Sequence, residues 1–205
     1  MTDGICGGRP WQEIKNRKFL CPVPGYDRHF AITEHFGFEL IPVEMNDDGP
    51  DMDMVEKLIK DPGVKGIWCV PKYQNPTGIV FSDTVVRRFA RLKPAAEDFR
   101  IFWDNAYCVH CFDGECAEIP DIIKECEKAG NADLVYEFCS TSKVTFPGSG
   151  ISAVAASPAN LIDIRSFMYF ATIGPDKINQ LRHARFFKGS AGLKAHMKKH
   201  ADILK

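Results

Sequence analysis

The sequence predicts an α/β domain built on a largely parallel sheet, and two observations carry that prediction. Short apolar runs at 38–43, 66–70, 100–103, 134–139 and 151–156 read as strands, and capped segments of helical period separate most of them. The polar groups suited to chemistry then fall just beyond strand ends: Asp104 after 100–103, and Ser140 to Lys143 after 134–139. In open parallel sheets ligands bind beyond the carboxyl ends of the strands, so both groups belong on one rim.

The elements follow in order. Residues 9–20 are polar and mixed, with no decisive period. Cys21-Pro22-Val23-Pro24-Gly25 reads as a rigid turn, because two prolines restrict the backbone and a glycine follows. Phe38-Glu39-Leu40-Ile41-Pro42-Val43 reads as a short strand. Asp51 caps a helix running to Lys60, with Met54, Val55, Leu58 and Ile59 on one face. Gly66-Ile67-Trp68-Cys69-Val70 is a buried strand. Ser82 caps the next helix, over 83–92, which Pro94 stops. Arg100-Ile101-Phe102-Trp103 is a strand ending at Asp104. Residues 120–129 form a helix that stops at Gly130, and 134–139 a strand ending at the Ser-Lys segment. After the strand at 151–156, Ser157-Pro158 is a helix cap with proline at the first position. The stretch 174–205 is helical with a break at 189–192. It ends without a stop signal, which predicts that the chain is cut there.

A length of 205 residues suits one sizeable domain, or one and a piece. At 45% hydrophobic and 26% charged, the composition is that of an ordinary globular domain. A net charge of −1 gives no reason to expect nucleic-acid or membrane binding. Met1 to Cys6 show no signal-peptide pattern, and no apolar run approaches the roughly 18 residues of a membrane span. The expected location is cytoplasmic. Cys108-Val109-His110-Cys111 has CxxC spacing, but no second such pair follows, and only Cys116 and His110 lie near enough to extend it toward a zinc site. The pair also follows a strand rather than opening a helix, unlike a thioredoxin-type site. Free thiols are the better reading of this pair, and no metal site is expected.

Lys143 is the most informative residue. A lysine after a strand is most often a solvated cap, but Ser140 and Ser142 before it can hold a phosphate through hydroxyls and backbone amides. Asp104 alone would be a turn aspartate; with Lys143 on the same rim it becomes a buried partner for a protonated pyridine nitrogen. A lysine that forms a Schiff base and an aspartate for a ring nitrogen are what pyridoxal 5′-phosphate (PLP) requires. Tyr107, three residues after Asp104, can reach the same ring. Asn75, in Asn75-Pro76-Thr77-Gly78, can donate its amide to a phenolate oxygen. Tyr26 offers a ring to stack on the cofactor, and His29 a support behind Asp104. Taken alone, those two would be a turn residue and a surface histidine.

The order Tyr26, Asn75-Pro-Thr-Gly, Asp104…Tyr107 and Ser140-x-Ser142-Lys143 resembles the fold-type I PLP-dependent aminotransferases. Gly25 to Phe30, Ser140 to Gly150 and Thr172 to Lys177 resemble, more narrowly, a divergent bacterial aspartate aminotransferase-like subgroup. The resemblance runs from about Phe19 to Lys205, and four weak motifs in one order make it specific. It implies that Lys143 bonds the cofactor and moves the proton at the substrate Cα, and that Asp104 faces the pyridinium. It implies that Asn75 and Tyr107 hold the ring oxygen, that Tyr26 stacks on the ring, that His29 supports Asp104, and that Ser140 binds phosphate, with Ser142 beside it. Many relatives place a phosphate-anchoring arginine eight residues after the lysine; here that residue is Ile151.

The resemblance further implies that residues 1–205 are a partial PLP-binding large domain, truncated at both ends, without the small C-terminal domain that grips the substrate carboxylate. The expected intact protein is a homodimeric aminotransferase, acting on aspartate or a similar amino acid and a 2-oxo acid, while the chain itself is expected to be an inactive fragment. The alternatives are another PLP enzyme, a β-lyase or decarboxylase, and a non-catalytic regulatory or binding module on the same fold.

Overall fold

Five strands run parallel through the middle of a seven-stranded sheet, and the antiparallel strands sit at its two edges. The computed structural model describes residues 5, 8–111, 116–145 and 147–204; Phe146, Lys205 and most of the first seven residues, all used in the sequence reading, lie outside them. The strands are β1 (Lys18–Val23), β2 (Glu39–Asn46), β3 (Gly49–Pro50), β4 (Val64–Cys69), β5 (Arg100–Asp104), β6 (Val135–Ser140) and β7 (Ser152–Ala156). Their order is β3-β2-β1-β4-β5-β6-β7. The chain steps from β1 to β2 in one direction, then returns to place β4 on the other side of β1. That reversal opens a crevice beyond the carboxyl ends of β1 and β4.

The helices are α1 (Asp27–His35), α2 (Met52–Leu58), α3 (Asp83–Ala90), α4 (Ile122–Lys128), α5 (Pro158–Ala171), α6 (Lys177–Phe187) and α7 (Ser190–Leu204). Their caps are largely those the sequence predicts. Asp51 accepts from the amides of Asp53 and Met54, Ser82 from that of Val85, and Ser157 from that of Asn160. Each side chain satisfies donors that the first helical turn leaves open.

Alternation along the strands divides the core between the two faces. Leu20, Ile67, Ile101, Trp103 and Val135 point to one side, where Val55, Val86, Phe89 and Ile122 of α2, α3 and α4, with Ile59 just past α2, cover them. Phe19, Trp68 and Phe102 point to the other, against Trp11 and Phe38. The N-terminal segment is tied down there by Trp11, whose Nε1 donates to Asp98 Oδ2 at 2.8 Å.

Three expectations change. Cys21 to Val23 are not a turn but the end of β1. Pro22 lacks an N–H, yet the ladder between β1 and β4 is registered only at Lys18 and Leu20, so the proline falls past that pairing. The turn begins only after Val23. Second, the stretch before β2, given no element from the sequence, is a helix: Tyr26 is the N-cap position of α1 and His29 is in its first turn. Third, the break in the C-terminal helical stretch is at Lys188 and Gly189, both with positive φ, and α7 resumes at Ser190. Among the described residues no helix is long and apolar enough to cross a membrane.

Gly66 shows how tightly the middle strands pack. A Cβ there would lie 2.5 Å from the carbonyl oxygen of Arg100 and 2.6 Å from the Phe19 ring. Gly66→Ala is expected to destabilise the fold by about 1–3 kcal/mol, the usual range for overpacking. Urea denaturation of the variant beside the parent chain measures it; an unchanged midpoint would contradict the packing.

Candidate active site

The carboxyl ends of β1, β4, β5 and β6 reach one rim at Val23, Cys69, Asp104 and Ser140, and the segments that leave them carry every candidate residue. The first cluster joins α1 to β5. His29 Nε2 lies 2.9 Å from Asp104 Oδ2. An ionised carboxylate only accepts hydrogen bonds, so this nitrogen carries the proton. The His29 ring is buried and stacks on Trp68 at 4.2 Å and 6°. Trp68 donates from Nε1 to Thr33 Oγ1 at 2.8 Å, and Thr33 Oγ1 donates to His29 O at 2.7 Å. Tyr26 meets the His29 ring edge-on at 5.2 Å. Asp104 is less buried than the sequence suggests: its side chain keeps 27% of its surface exposed, because it ends β5 where the covering layers stop.

The Asn75 loop is fixed by its neighbour. Gln74 Nε2 donates to Pro24 O at 2.6 Å, and Gln74 Oε1 accepts from Thr77 Oγ1 at 2.6 Å. One buried amide therefore joins the loop after β4 to the loop after β1. Asn75 itself is half-buried on this loop.

The second cluster brings Tyr107 to Lys143. Lys143 is exposed, with Nζ 5.7 Å from the centre of the Tyr107 ring, within cation–π reach. The residue after Asp104 anchors this segment. Asn105 N donates to Phe138 O at 2.8 Å, and its Nδ2 to Glu137 Oε1 at 2.8 Å. Burial raises the Glu137 carboxyl above its ordinary value; the Asn105 hydrogen bond opposes this, and the Asp121 charge adds to it. Lys72, buried at 7% exposure, donates from Nζ to Cys108 O at 3.3 Å. It sets a second cation beneath the rim.

The third group is the turn from Ser140 to Ile151. Ser142 N donates to Ser140 Oγ at 3.4 Å. Ile151, in the place of the expected arginine, closes the turn instead: its N donates to Thr141 Oγ1 at 2.9 Å, and Thr141 N donates to Ile151 O at 2.9 Å. A Cβ on Gly150 would lie 3.1 Å from Thr141 Oγ1, 3.2 Å from Ser142 Oγ and 3.3 Å from Ser142 N. The missing side chain leaves open space beside the Ser142 hydroxyl, a donor that suits a phosphate, while the Thr141 hydroxyl and the Ser142 amide are engaged within the turn. With a carboxylate held by a histidine and a lysine amine on the same rim, the residues fit PLP.

The structure thus places Tyr26, His29 and Asp104 together, Tyr107 beside Lys143, and Ser140 and Ser142 in the adjoining turn. Asn75 lies on the neighbouring loop without a side-chain hydrogen bond to the others among the described residues. Sequence reasoning passed over Trp68, Gln74, Asn105 and Lys72. Only Trp68 left a usable signal, since alternation sets it on the face opposite the buried Ile67.

The sheet order and the rim define the class. The fold is that of the PLP-dependent aminotransferases: an α-aminoadipate aminotransferase from Thermus thermophilus, solved with a phosphopyridoxyl-leucine adduct, superposes over 92% of this chain and 48% of its own at a TM-score of 0.75, with 22% identity. More narrowly, the chain belongs to the aspartate aminotransferase family, whose model, described as "Aspartate amino-transferase", matches residues 1–205. It is 49% identical over 196 residues to an aspartate aminotransferase of Corynebacterium glutamicum, covering 96% of this chain and 45% of that protein. A putative aminotransferase structure from Corynebacterium diphtheriae matches at a TM-score of 0.94 and 51% identity, over 97% of this chain and 49% of its own. The chain spans about half the length of the curated relatives it matches.

The raised Glu137 carboxyl gives a testable pH dependence. The folded chain holds this proton more tightly than the unfolded chain. Its contribution to stability is fully present below the ordinary glutamate value and is lost as pH rises through the folded value. Glu137→Gln keeps an acceptor for Asn105 without the charge. It is expected to be more stable than the parent at pH 7, with the difference closing below the ordinary glutamate range. Urea midpoints across that range test it; a less stable variant at pH 7 would show that the carboxylate is favourably solvated.

Proposed function

We propose that the whole protein is a PLP-dependent aminotransferase that transfers the amino group of aspartate, or a similar amino acid, to a 2-oxo acid. The single observation carrying this reading is the His29–Asp104 pair on the same rim as Lys143 and Tyr107. PLP supplies an electron sink for the charge left when the substrate Cα loses its proton. The chain's own residues do the rest. His29 Nε2–H holds the Asp104 carboxylate in place, so that Asp104 can accept from a protonated ring nitrogen and keep it protonated. Tyr26 would flank the ring, and the Asn75 amide and Tyr107 hydroxyl would donate to its oxygen. Ser140, Ser142 and the Gly150 backbone would receive the phosphate, with Thr141 and Ile151 shaping the turn. Lys143 Nζ would bond the cofactor at rest and, once freed, would take the proton from the substrate Cα and deliver it to the cofactor carbon C4′.

The names of the relatives support the aspartate preference, since the Corynebacterium glutamicum protein is an aspartate aminotransferase. Homodimeric assembly and a cytoplasmic location belong to the same proposal.

Borohydride reduction in the presence of PLP is expected to fix the label on Lys143, with peptide mapping as the readout. A label on another lysine, or none, removes the assignment. In the whole protein, Lys143→Ala is expected to lower transamination by about 10²–10⁴-fold, the scale of a lost acid–base group. Product analysis separates the alternatives: oxaloacetate from aspartate, with matching amination of the 2-oxo acid, supports transamination, whereas pyruvate and free ammonia from a β-substituted alanine indicate a lyase, and carbon dioxide released with the amine a decarboxylase.

A further inference from the structure

We propose that three histidines, His110, His183 and His196, frame the Lys143 turn and act as positioning residues for its amine; this rests on the proposed function for Lys143. Helix-like hydrogen bonds begin this turn, with the amides of Val144 and Thr145 both donating to Thr141 O at 3.0 and 2.8 Å. They cannot continue. The fourth residue after Lys143 is Pro147, which has no N–H to offer the Lys143 carbonyl. The fourth after Val144 is Gly148, whose φ of +83° turns the chain away. Among the described residues no backbone amide donates to either of these two carbonyls.

Histidines from separate elements supply the donors. His110 Nε2, from the segment after β5, lies 3.2 Å from Lys143 O. His196 Nε2, from α7, lies 2.8 Å from Val144 O. A carbonyl only accepts, so both nitrogens carry protons. His183, from α6, works with the opposite polarity. Its Nδ1 donates to Asn179 O at 2.9 Å, so in the neutral ring Nε2 accepts from the Thr141 hydroxyl at 3.0 Å. Thr145 Oγ1, 3.4 Å from the same nitrogen, already donates to Thr141 O at 3.0 Å. Thr141 Oγ1 is then fully used, donating to His183 and accepting from Ile151 N.

The rings are themselves held. His183 is 7% exposed, and its partner Asn179 donates from Nδ2 to Gly150 O at 3.0 Å, joining α6 to the far side of the turn. The His196 ring packs against Phe186 at 5.2 Å, Phe187 at 5.5 Å and His200 at 4.3 Å. His110 packs edge-on against Tyr107 at 5.2 Å, so the residue that meets Lys143 Nζ also braces the donor to Lys143 O. The long lysine side chain is exposed and has its freedom; the frame fixes the backbone from which it reaches. Fixing that origin restricts where the amine can meet a carbonyl carbon, which is the orientational part of catalysis.

The test compares His196→Leu, which removes the donor, with His196→Gln, which keeps an N–H of similar reach, and adds His183→Leu. Two readouts are taken on each chain that retains a cooperative melt. One is hydrogen–deuterium exchange of peptides spanning 140–151; the other is the rate at which PLP and borohydride label Lys143. Both leucine variants are expected to exchange faster across the turn and to label Lys143 about 10-fold more slowly or worse, with His196→Gln close to the parent in both. Unchanged exchange in the leucine variants overturns the frame. Faster exchange with an unchanged labelling rate overturns the positioning role, leaving the histidines as packing. A glutamine variant as poor as leucine overturns the hydrogen-bond argument. If the parent chain takes no label on Lys143, the PLP reading is what fails, and exchange alone then judges whether the histidines hold the turn.

Discussion

The parallel run of β1, β4, β5 and β6 is the constraint from which the rest of the site follows. Parallel neighbours cannot be joined by tight hairpins, so each strand must return by a crossover and finish at the same rim. The register then sets what meets there. Asp104 pairs with Phe138, two residues before Ser140, so the acid on β5 and the serine that ends β6 are close neighbours on adjacent strands. Alternation does the second half. With Ile67 buried in one face, Trp68 must stand on the other, where its indole makes the platform for His29.

A rim assembled from four loops needs something to hold the loops in relation to one another, and here that work falls to polar side chains. Gln74 links the loops after β4 and β1; Asn105 and Glu137 link β5 to β6; His29 links α1 to Asp104. Buried polar groups are costly when unpaired. A loop that drifts would leave a carboxylate or an amide without its partner, so the hydrogen bonds oppose drift more sharply than apolar contacts of the same size would. Lys72 follows the same logic with a single carbonyl, that of Cys108, next to Tyr107 in the chain.

Legibility in the sequence follows the range of the interaction. Asp51, Ser82 and Ser157 were visible as caps because a cap acts within three residues. The strands at β4, β5 and β6 were visible as apolar runs. β1 was not, because Cys21-Pro22-Val23 carries the punctuation of a turn, and only the end of its ladder with β4 at Leu20 shows why the proline is tolerated. The order of Tyr26, Asn75, Asp104, Tyr107 and Lys143 could be read along the chain and gave the rim. The braces behind them could not. Asn105 to Glu137, Gln74 to Pro24 and Thr141 to His183 span 32, 50 and 42 residues, and no local pattern marks either end. Ile151 drew notice only for lacking a charge; its backbone, which closes the turn, has no sequence signature at all.

Charge completes the picture of the rim. Lys143 and the buried Lys72 set two cations around the turn that carries Tyr107, and among the described residues neither makes an ion pair with a carboxylate. His110 feels both: burial is the largest cause that holds its pKa below the ordinary histidine value, and the two lysine charges push the same way. The histidine therefore stays neutral where it donates to Lys143 O, and the positive potential stays with the lysines. A pair of lysines without carboxylate partners, in a chain whose net charge is only −1, is a local feature rather than a consequence of composition. It draws anionic groups to the crevice, and a phosphate and a substrate carboxylate are the anions that the proposed reaction brings there.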